Sequence, residues 1–229
     1  MQNMVHTIER RTTTDVVYEA LYEEIATLKL LPGAKLSETD VARRFSVSRQ
    51  PVRDAFNRLE SKQLLLIRPQ KATVVRGFSM QQIANARFVR LAVELEVLRA
   101  ACGIWNADRA AELRGNLDQQ QAAVADGDGV AFHSLDYLFH KMICELGGHP
   151  LVFATIEDCK RSIDRLCVLS LNRKDEAAIL AQDHENIASA LQDGDADRAT
   201  HHARLHFARL DETIRSIHRE HANYFDEAS

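Results

Sequence analysis

Helix-breaking residues are scarce in this sequence: 4 prolines and 9 glycines occur among its 229 residues. Proline and glycine weaken helices more than any other residues, so their scarcity disfavours a loop-rich chain and favours long helices. No apolar run approaches the roughly 20 residues that a membrane-spanning helix needs, and the N-terminus carries no apolar signal segment. We therefore expect a cytoplasmic, largely helical protein without a membrane partner.

Cysteine is also infrequent, with four residues and no CxxC pair. Such pairs would indicate a zinc site or a redox pair. Their absence makes a reduced cytoplasmic setting the simplest interpretation. We expect each cysteine to act as a small buried apolar side chain: Cys102, Cys144, Cys159 and Cys167.

The net charge of −4 conceals an asymmetry between the two parts of the chain. Residues 1–78 hold 13 basic and 9 acidic side chains, whereas the remainder holds 16 and 24. Within 43–76, 9 basic residues stand against 2 acidic ones. A concentrated basic segment in an acidic protein is typical of a surface that binds the phosphates of a nucleic acid.

The stretch from Leu36 to Arg53 predicts a helix-turn-helix. Ser37 is suited to cap the first helix, because its hydroxyl can accept a hydrogen bond from an N–H of the first turn. Ser48 is suited to cap a second helix, and Pro51 falls in its first turn, where proline is tolerated. Apolar residues recur at helical spacing and should face inward: Val41, Ala42, Phe45, Val52, Ala55, Phe56 and Leu59.

The opposite face of the second helix carries side chains of the types that read DNA bases. Arginine can donate two hydrogen bonds to guanine, and glutamine or asparagine can pair similarly with adenine. At the start of a helix such residues suit contact with the major groove. A solvated face on an ordinary helix is the alternative interpretation. The candidate DNA-binding residues, here and in flanking segments, are Ser48, Arg49, Gln50, Arg53, Asn57, Arg44 and Lys71.

The longer run LLPGAKLSETDVARRFSVSRQPVRDAFNRLE resembles the winged helix-turn-helix of the GntR family of bacterial transcription regulators. The shared features are a Pro-Gly turn, then Leu-x-Glu, Ser-Arg-x-Pro-Val-Arg and Arg-Leu-Glu at matching spacings. The resemblance implies a DNA-binding domain over residues 10–77. A first helix is expected from about Thr13 to Lys29, where Pro32 follows and disfavours its continuation.

A wing is expected after the second helix, formed by two strands that flank a short tip. Leu64–Ile67 and Thr73–Val75 are the expected strands, because both are short apolar or β-branched runs. Residues 68–72 would form the tip. In this family a glycine commonly stands at the positions of Gln63 and Ala72, so the wing departs from the family pattern at both.

From Ser79 onward the pattern is entirely helical, and turn formers or helix caps separate the segments. Predicted helices run over 79–101, 107–125, 129–146, 150–171, 175–192 and 195–222. Their number and short connections predict an antiparallel bundle over residues 78–229. The predicted fold class is thus mainly α, with an N-terminal winged helix-turn-helix and a C-terminal all-α antiparallel helical bundle.

Four residues of the predicted bundle have the chemistry of metal ligands. Asp136 and His140 are four apart and share one helix face, while His184 and His206 lie among apolar residues of two further helices. One carboxylate and three imidazoles suit zinc, nickel, iron or manganese. The alternative for any single inward histidine is a hydrogen-bonded core residue.

These positions resemble the FCD domain of the FadR-like branch of the GntR family. The resemblance implies that Asp136, His140, His184 and His206 hold a divalent metal, with zinc or nickel preferred. The segment Arg90-Leu-Ala-Val-Glu94 resembles that family's Arg-x-x-Leu-Glu signature, with Val93 in the place of the leucine. In metal-containing relatives the arginine of this signature reaches toward the metal cavity, where small carboxylates bind. The implied effector-binding residues are Arg90, Glu94 and, as a weaker candidate, Arg165. A purely structural ion pair between Arg90 and Glu94 is the alternative.

The sequence thus predicts a ligand-responsive bacterial transcription regulator, with repression favoured over activation, and no catalytic residues. It would bind a double-stranded DNA operator as a homodimer, and a divalent metal and a small carboxylate effector would bind in its C-terminal bundle. One alternative is a metal-dependent enzyme acting on small organic acids, with Glu185 as a base. Another is a regulator whose helical bundle is purely structural.

Overall fold

The computed structural model describes residues 11–170 and 174–226. The described residues form two compact units. The first contains residues 11–79 together with 223–226, and the second runs from Met80 to Ala222. Most described residues are helical, so the predicted mainly α fold class is confirmed.

Residues near the C-terminus return to the first unit. The Phe78 N–H donates to the carbonyl of Tyr224 at 2.8 Å, and the Asp226 N–H donates to the carbonyl of Phe78 at 2.9 Å. The rings of Phe78 and Phe225 lie 5.4 Å apart. The sequence pattern had assigned this segment to the second domain. Arg10, where the predicted first domain began, lies outside the described residues.

The first unit is a winged helix-turn-helix. A three-stranded antiparallel sheet in the order β1-β3-β2 accompanies three helices. The elements in chain order are α1 (Thr13–Ala26), β1 (Lys35–Leu36), α2 (Glu38–Phe45), α3 (Arg49–Ser61), β2 (Leu65–Leu66) and β3 (Thr73–Val75).

One continuous core holds these elements together, and it contains every apolar residue expected to face inward from the helix-turn-helix. All of these side chains are buried except Phe45, which is partly exposed. Fully buried residues of α1 complete the core, so the three helices share one apolar centre: Val17, Leu21 and Ile25. Burying a side chain of this size contributes about 1.5–3 kcal/mol each.

The ends of the three helices agree with the prediction in some places and differ from it in others. Thr12 and Asp15 form a capping box at the start of α1, and the Ser37 hydroxyl accepts from the Asp40 N–H at 3.4 Å. Ser48 stands at the N-cap position of α3, but its side chain makes no capping hydrogen bond there. The α1 helix ends at Ala26, short of the predicted Lys29.

The wing differs from its prediction in the length and the number of its strands. Strand β2 spans two residues rather than four, and β1, which the sequence pattern did not indicate, pairs with β3. Gln63 and Gln70 adopt left-handed backbone conformations, each with φ of 59°. A conformation of this kind favours glycine, so the expected departure from the family pattern at Gln63 falls on a left-handed residue. At the tip, however, the left-handed residue is Gln70 and not Ala72.

The second unit is an antiparallel bundle of six α-helices within the described residues. In this unit α8 packs against α9, α5 against α6, and α4 against α7. Short 3-10 turns precede and follow α7. The helices are α4 (Met80–Cys102), α5 (Ala107–Asp126), α6 (Gly129–Leu146), α7 (Phe153–Cys167), α8 (Lys174–Gln192) and α9 (Ala196–Glu220).

The predicted helices of this unit agree with the structure to within two residues at most ends. The exception is the helix predicted over 150–171, because Pro150–Val152 and Val168–Ser170 are 3-10 turns that flank α7. Residue 171 and the predicted break at Asn172 lie outside the described residues. Gly127 and Gly194 end α5 and α8 in left-handed conformations that a glycine adopts without strain.

The cysteines only partly follow their prediction. Cys144 is buried in the core of the second unit, but Cys102 and Cys159 are partly exposed. The side chain of Cys167 lies outside the described residues. Within the described part of the chain, no helix is both long enough and apolar enough to cross a bilayer.

Candidate nucleic-acid face and metal centre

The α3 helix presents an exposed polar face at its N-terminal end. The side chains of Arg49 and Arg53 are 61% and 50% exposed, and Ser48, Gln50 and Asn57 are exposed as well. The buried residues of the same helix face the opposite way, into the core. The candidate base-reading residues of α3 therefore share one solvent-facing surface.

A carboxylate on α2 holds the two arginines of this face. Glu38 accepts from Arg49 Nη2 at 3.1 Å and from Arg53 Nη2 at 3.0 Å, and Arg53 Nε adds a third contact at 3.2 Å. The hydrogen bonds from Arg53 hold the pKa of Glu38 below its ordinary value. Sequence reasoning had assigned Glu38 only to a family motif, so this bridging role was missed.

The remaining candidates on this unit differ in their surroundings. Gln50 donates to Asp54 at 2.9 Å within α3. Arg44 pairs with Glu24 of α1 and stays about half exposed. Lys71 is exposed at the wing tip. Gln50, Arg44 and Lys71 therefore all remain accessible to solvent.

The four candidate metal ligands converge in the second unit. Asp136 and His140 lie on α6, His184 on α8 and His206 on α9, and one potential ligand atom from each lies within 4.8 Å of the others. All four side chains are buried, with exposed fractions between 0% and 8%. Three helices therefore bring one carboxylate and three imidazoles to a single point in the bundle.

Three members of this cluster have a supporting neighbour at hydrogen-bond distance. His140 Nδ1 lies 2.6 Å from a carboxylate oxygen of Glu94, and Asp136 Oδ2 accepts from Lys160 Nζ at 2.6 Å. Gln120 lies 2.8 Å from His184 Nδ1, whereas Asp183 lies 3.7 Å from His206 Nδ1, which makes no hydrogen bond. Such outer partners orient ligands and select their tautomers.

A chain of buried amides fixes the tautomer of His184. Asn116 Nδ2 donates to the carbonyl of Leu135 at 3.1 Å, and a carbonyl can only accept. The Oδ1 atom of Asn116 must therefore accept from Gln120 Nε2, at 2.6 Å. Gln120 then turns Oε1 toward His184, so Nδ1 of His184 carries the proton and Nε2 keeps its lone pair.

Two buried ring nitrogens of the cluster face the same carboxylate oxygen without a hydrogen-bond partner. Nε2 of His184 lies 3.5 Å from Asp136 Oδ1, and Nε2 of His140 lies 3.7 Å from it. Both nitrogens are buried and make no hydrogen bond. Ligand atoms about 2.0–2.1 Å from a tetrahedral zinc ion lie roughly 3.4 Å apart. The spacing, the donor types and the orphaned nitrogens all fit a divalent cation.

The electrostatics of the cluster also suit a cation. Burial lowers the pKa of His184 well below its ordinary value and lowers that of His206, which keeps both in the neutral form that metals bind. Burial opposes ionisation of Asp136, yet Lys160 and the histidines hold its pKa well below normal. Burial would lower the pKa of His140, but Glu94 raises it, so a metal would displace a proton there.

A cavity of about 360 Å³ adjoins the cluster, and Asp136, His206 and Arg90 contribute to its wall. Arg90 is buried, donates to Glu94 at 2.6 Å and lies over the Phe207 ring at 4.8 Å. The ion pair that sequence reasoning offered as an alternative therefore exists, while the same arginine still lines the cavity. Glu94 is held between Arg90 and His140, which suits a positioning role more than the predicted effector contact.

The cavity lining differs from its prediction at two residues. Arg165 is buried, but it is not among the residues that line the cavity. Lys160, which sequence reasoning missed, lines it instead and is only 3% exposed. Its burial, though not its contact with the cavity, could have been predicted, because helical spacing places it on the same face of α7 as Ile156 and Ile163.

Glu185, the base considered for an enzyme, lies away from this cavity. Its carboxylate accepts from Arg114 at 2.7 Å in a partly exposed ion pair, and it does not line the cavity. The neighbouring His184 points into the cluster, whereas successive helical residues diverge by about 100°. Glu185 therefore lies apart from the four candidate ligands and from the cavity.

Comparisons with known proteins agree with this architecture. Residues 13–75 match the family described as bacterial regulatory proteins, gntR family, and residues 86–209 match the FCD domain. The chain is 35% identical over 211 residues to the HTH-type transcriptional repressor RspR of Escherichia coli (strain K12), covering 92% of each chain.

One curated relative and one solved structure are similar to this chain at lower sequence identity. The gluconate operon transcriptional repressor of Bacillus subtilis (strain 168) is 28% identical over 160 residues, which cover 70% of this chain and 65% of that protein. The solved structure of E. coli McbR/YncC has a TM-score of 0.69 at 21% identity, covering 93% of this chain and all of the other. That structural likeness shows a shared fold.

Proposed function

The chain belongs to the GntR family of bacterial regulatory proteins and carries an FCD domain, and on that premise we propose a repressor controlled by a metal-dependent carboxylate effector. The coarser part is established by family membership: the protein is a DNA-binding transcriptional regulator. Repression is favoured because relatives carry the names of repressors. The buried cluster of three histidines and one aspartate supports the metal more than any other observation.

Operator reading is assigned to the exposed face of α3. Arg49 and Arg53 would contact base edges in the major groove, with Gln50 and Asn57 beside them. Ser48, Arg44 and Lys71 would contact the phosphate backbone, which supplies affinity but little sequence choice. The exposure of this face and the 9 basic residues among 43–76 support the assignment.

Replacing one arginine tests the reading face. Arg49→Ala should weaken binding to a selected operator by about 5- to 150-fold, because a bidentate base contact is worth roughly 1–3 kcal/mol. Fluorescence anisotropy would measure it, with Arg99→Ala as control, since Arg99 is an exposed arginine of the second unit. Unchanged operator affinity in Arg49→Ala would remove this residue from the reading face.

The metal is assigned to Asp136, His140, His184 and His206. A bound divalent ion would supply positive charge and open coordination positions for a carboxylate. Metal analysis of the purified protein tests the assignment, together with titration of zinc into His206→Ala. The matched control is His201→Ala, an exposed histidine on the same helix. Equal zinc affinity in both variants would rule out the assigned site.

The effector is assigned to the adjoining cavity, where Arg90 and Lys160 offer two buried cations. A carboxylate there can combine metal coordination with hydrogen bonds from a guanidinium. Gluconate is a suitable first probe, because a relative is named a gluconate operon repressor. A ligand should raise the melting temperature by mass action, and a chelator should abolish that rise. No response to any acid in a broad panel would contradict the effector assignment.

Operator binding is assigned to a homodimer. Phe88 is 74% exposed and Val89 is 38% exposed on α4, although both are apolar. Exposed apolar surface of this kind is typical of a contact with another chain. Phe88→Asp should shift the protein toward the monomer in sedimentation velocity and weaken operator binding. A protein that is monomeric before the change would contradict the assignment.

A further inference from the structure

Lys160 differs from Glu94 and Gln120 in the direction of its hydrogen bond to a candidate metal ligand. Glu94 and Gln120 each accept from Nδ1 of a histidine, at 2.6 and 2.8 Å. An acceptor on one ring nitrogen raises the basicity of the other, which strengthens the imidazole as a ligand. Lys160 instead donates from Nζ to Oδ2 of Asp136 at 2.6 Å. A cationic donor draws charge from the carboxylate, so this contact weakens Asp136 as a ligand.

The two carboxylate oxygens of Asp136 face different partners. Oδ1 lies 3.5 Å from Nε2 of His184 and 3.7 Å from Nε2 of His140. Both nitrogens are buried and make no hydrogen bond. Oδ2 is the oxygen that accepts from Lys160. The aspartate therefore turns one oxygen toward the candidate ligands and commits the other to an ammonium group.

The ammonium group of Lys160 is fixed by a second carboxylate. Nζ lies 3.6 Å from Oδ1 of Asp164, one turn further along α7. The side chain of Lys160 is 4% exposed, so water cannot replace these contacts freely. A buried cation that leaves its partners becomes an unpaired charge in a poorly solvated place. The contact between Lys160 and Asp136 is therefore a fixed part of the bundle.

The number of oxygens that Asp136 offers decides how many positions a bound metal has left. One oxygen and three imidazoles complete a tetrahedral zinc site, which can expand to a fifth ligand. A carboxylate that coordinates through both oxygens would take that fifth position itself. Asp136, His206 and Lys160 all line the cavity of about 360 Å³. A molecule in the cavity would therefore compete with the second oxygen of Asp136.

We propose that Lys160 is a positioning residue: it withholds Oδ2 of Asp136 from the metal, so that a coordination position stays free for a ligand from the cavity. The proposal rests on the metal site proposed above and specifies what keeps that site open. It also fixes the sign of an effect. Loss of an outer partner usually lowers metal affinity. Loss of Lys160 should raise it, because a nearby cation is removed and a second oxygen is released.

Replacing Lys160 with methionine tests the proposal, because methionine fills much of the same volume and cannot donate. Lys160→Met in the full-length protein should bind zinc several-fold more tightly, as measured by competition with a chromogenic chelator. Imidazole is the probe for the free position, because its neutral form is not drawn in by the charge of Lys160. Its affinity for the cobalt-loaded protein, followed in the visible spectrum, should fall by about tenfold or more.

Two further variants serve as controls. Lys160→Arg retains a cationic donor and should keep imidazole affinity closer to that of the unaltered protein than Lys160→Met does. Lys141→Met makes the same change at a partly exposed lysine of α6, which pairs with Glu145 at 3.7 Å and does not line the cavity. That variant should change neither affinity. Equal changes in Lys141→Met and Lys160→Met would contradict a cause in the contact with Asp136.

The unaltered protein offers a measurement that does not depend on the folding of a variant. In a crystal structure of the zinc-loaded full-length protein, Asp136 should coordinate through Oδ1 alone while Oδ2 still accepts from Lys160. Coordination through both oxygens would overturn the proposal. The same protein, loaded with cobalt, should change its visible spectrum when imidazole is added.

The outcomes separate the proposal from the metal assignment on which it rests. Absence of zinc binding by the unaltered protein would overturn both. Zinc binding without any response to imidazole would overturn the free position and leave the metal a structural role. Lower zinc affinity with unchanged imidazole affinity in Lys160→Met would make Lys160 an ordinary support, which overturns the proposal and leaves the metal assignment intact.

Discussion

Glu38 of the first unit and Glu94 of the second each hold two cationic side chains, but in opposite surroundings. Glu38 contacts Arg49 and Arg53 at 3.1 and 3.0 Å, and its side chain is 25% exposed beside two half-exposed arginines. Glu94 contacts Arg90 and His140, each at 2.6 Å, and is 8% exposed. The chemistry of the two contacts is similar, and solvent access is what differs.

The difference in solvent access suits the two carboxylates to different roles. Exposed ion pairs contribute little to stability, so Arg49 and Arg53 can leave Glu38 for a DNA phosphate or base at small cost. A buried carboxylate cannot release its partners without leaving an unpaired charge in a poorly solvated place. The first arrangement suits a surface that exchanges partners, and the second suits a scaffold that fixes ligands.

The largest expected effect follows from removing the buried charge. Glu94→Gln should destabilise the second unit by about 3–5 kcal/mol, because Arg90 loses its partner inside the bundle. The single tryptophan, Trp105, packs against the core of this unit, so its fluorescence during urea unfolding reports on that unit.

Two controls accompany this experiment. Glu96→Gln removes an exposed carboxylate two residues away on α4 and should change stability little. Glu38→Gln should likewise cost the first unit about 1 kcal/mol or less. Equal losses for Glu94→Gln and Glu96→Gln would show that burial does not distinguish the two pairs.

A neutral buried support should matter less than a charged one. Gln120→Leu removes the acceptor for Nδ1 of His184, so metal affinity should fall by about 10- to 100-fold. Competition with a chromogenic chelator measures that affinity, and the visible spectrum of the cobalt-loaded protein reports the ligand geometry. Gln119→Leu, the same change at the neighbouring exposed position, should leave both unchanged. Identical spectra and affinities in both variants would contradict the support that we assign to Gln120.

The exposed carboxylate should affect DNA binding more than stability. Glu38→Gln removes the anion that competes with DNA for Arg49 and Arg53, so binding to a random duplex should strengthen by a few-fold. Operator binding should gain less, because the arginines lose the partner that orients them. The ratio of operator to random affinity should therefore fall, as anisotropy at several salt concentrations would show. A rise in that ratio would contradict the orienting role.

The smallest expected effect is the response of the pKa values of Glu38 and Glu94 to added salt. The pKa of Glu94 is held at about 2 in the folded protein, against burial, by His140 and Arg90, and Arg53 lowers that of Glu38. Because both folded values lie below the ordinary value, each carboxylate contributes stability at neutral pH that is lost on acidification. For Glu94 that loss falls between about pH 4.5 and 2.

Added salt should separate the two carboxylates. Screening acts on charges in contact with solvent, so the pKa of Glu38 should rise toward its ordinary value, while that of Glu94 stays near 2. Titration by NMR of metal-free protein at low and high salt measures both. Equal salt sensitivity would indicate that solvent reaches the Glu94 pair.

Much of the fold could be predicted, because helix periodicity is a local property of the chain. The apolar residues of α2 and α3 marked their buried face, and glycines or asparagine marked the ends of α5 and α8. The β1 strand could not be predicted in this way. Lys35–Leu36 has no strand pattern of its own and is a strand only because it pairs with Thr73 and Val74.

In the candidate site, too, contacts within one helix could be predicted from the sequence, and contacts between helices could not. Asp136 and His140 share a helix face at a spacing of four, so their proximity could be predicted from the chain alone. Gln120 and Lys160 come from other helices, and no local pattern connects them with their partners, which lie 64 and 24 residues away in sequence. Their roles depend on how α5 packs against α8 and how α7 packs against α6.

By itself, the sequence determined which residues form helices, which faces are apolar, and which side chains could bind DNA or a metal, because these depend on residue type and short-range spacing. Only the tertiary structure decided that Glu38 bridges Arg49 and Arg53, that the cavity is lined by Lys160 and not by Arg165, and that Glu185 stands apart. Distance and burial set the strength of a charge, and both are properties of packing between distant segments.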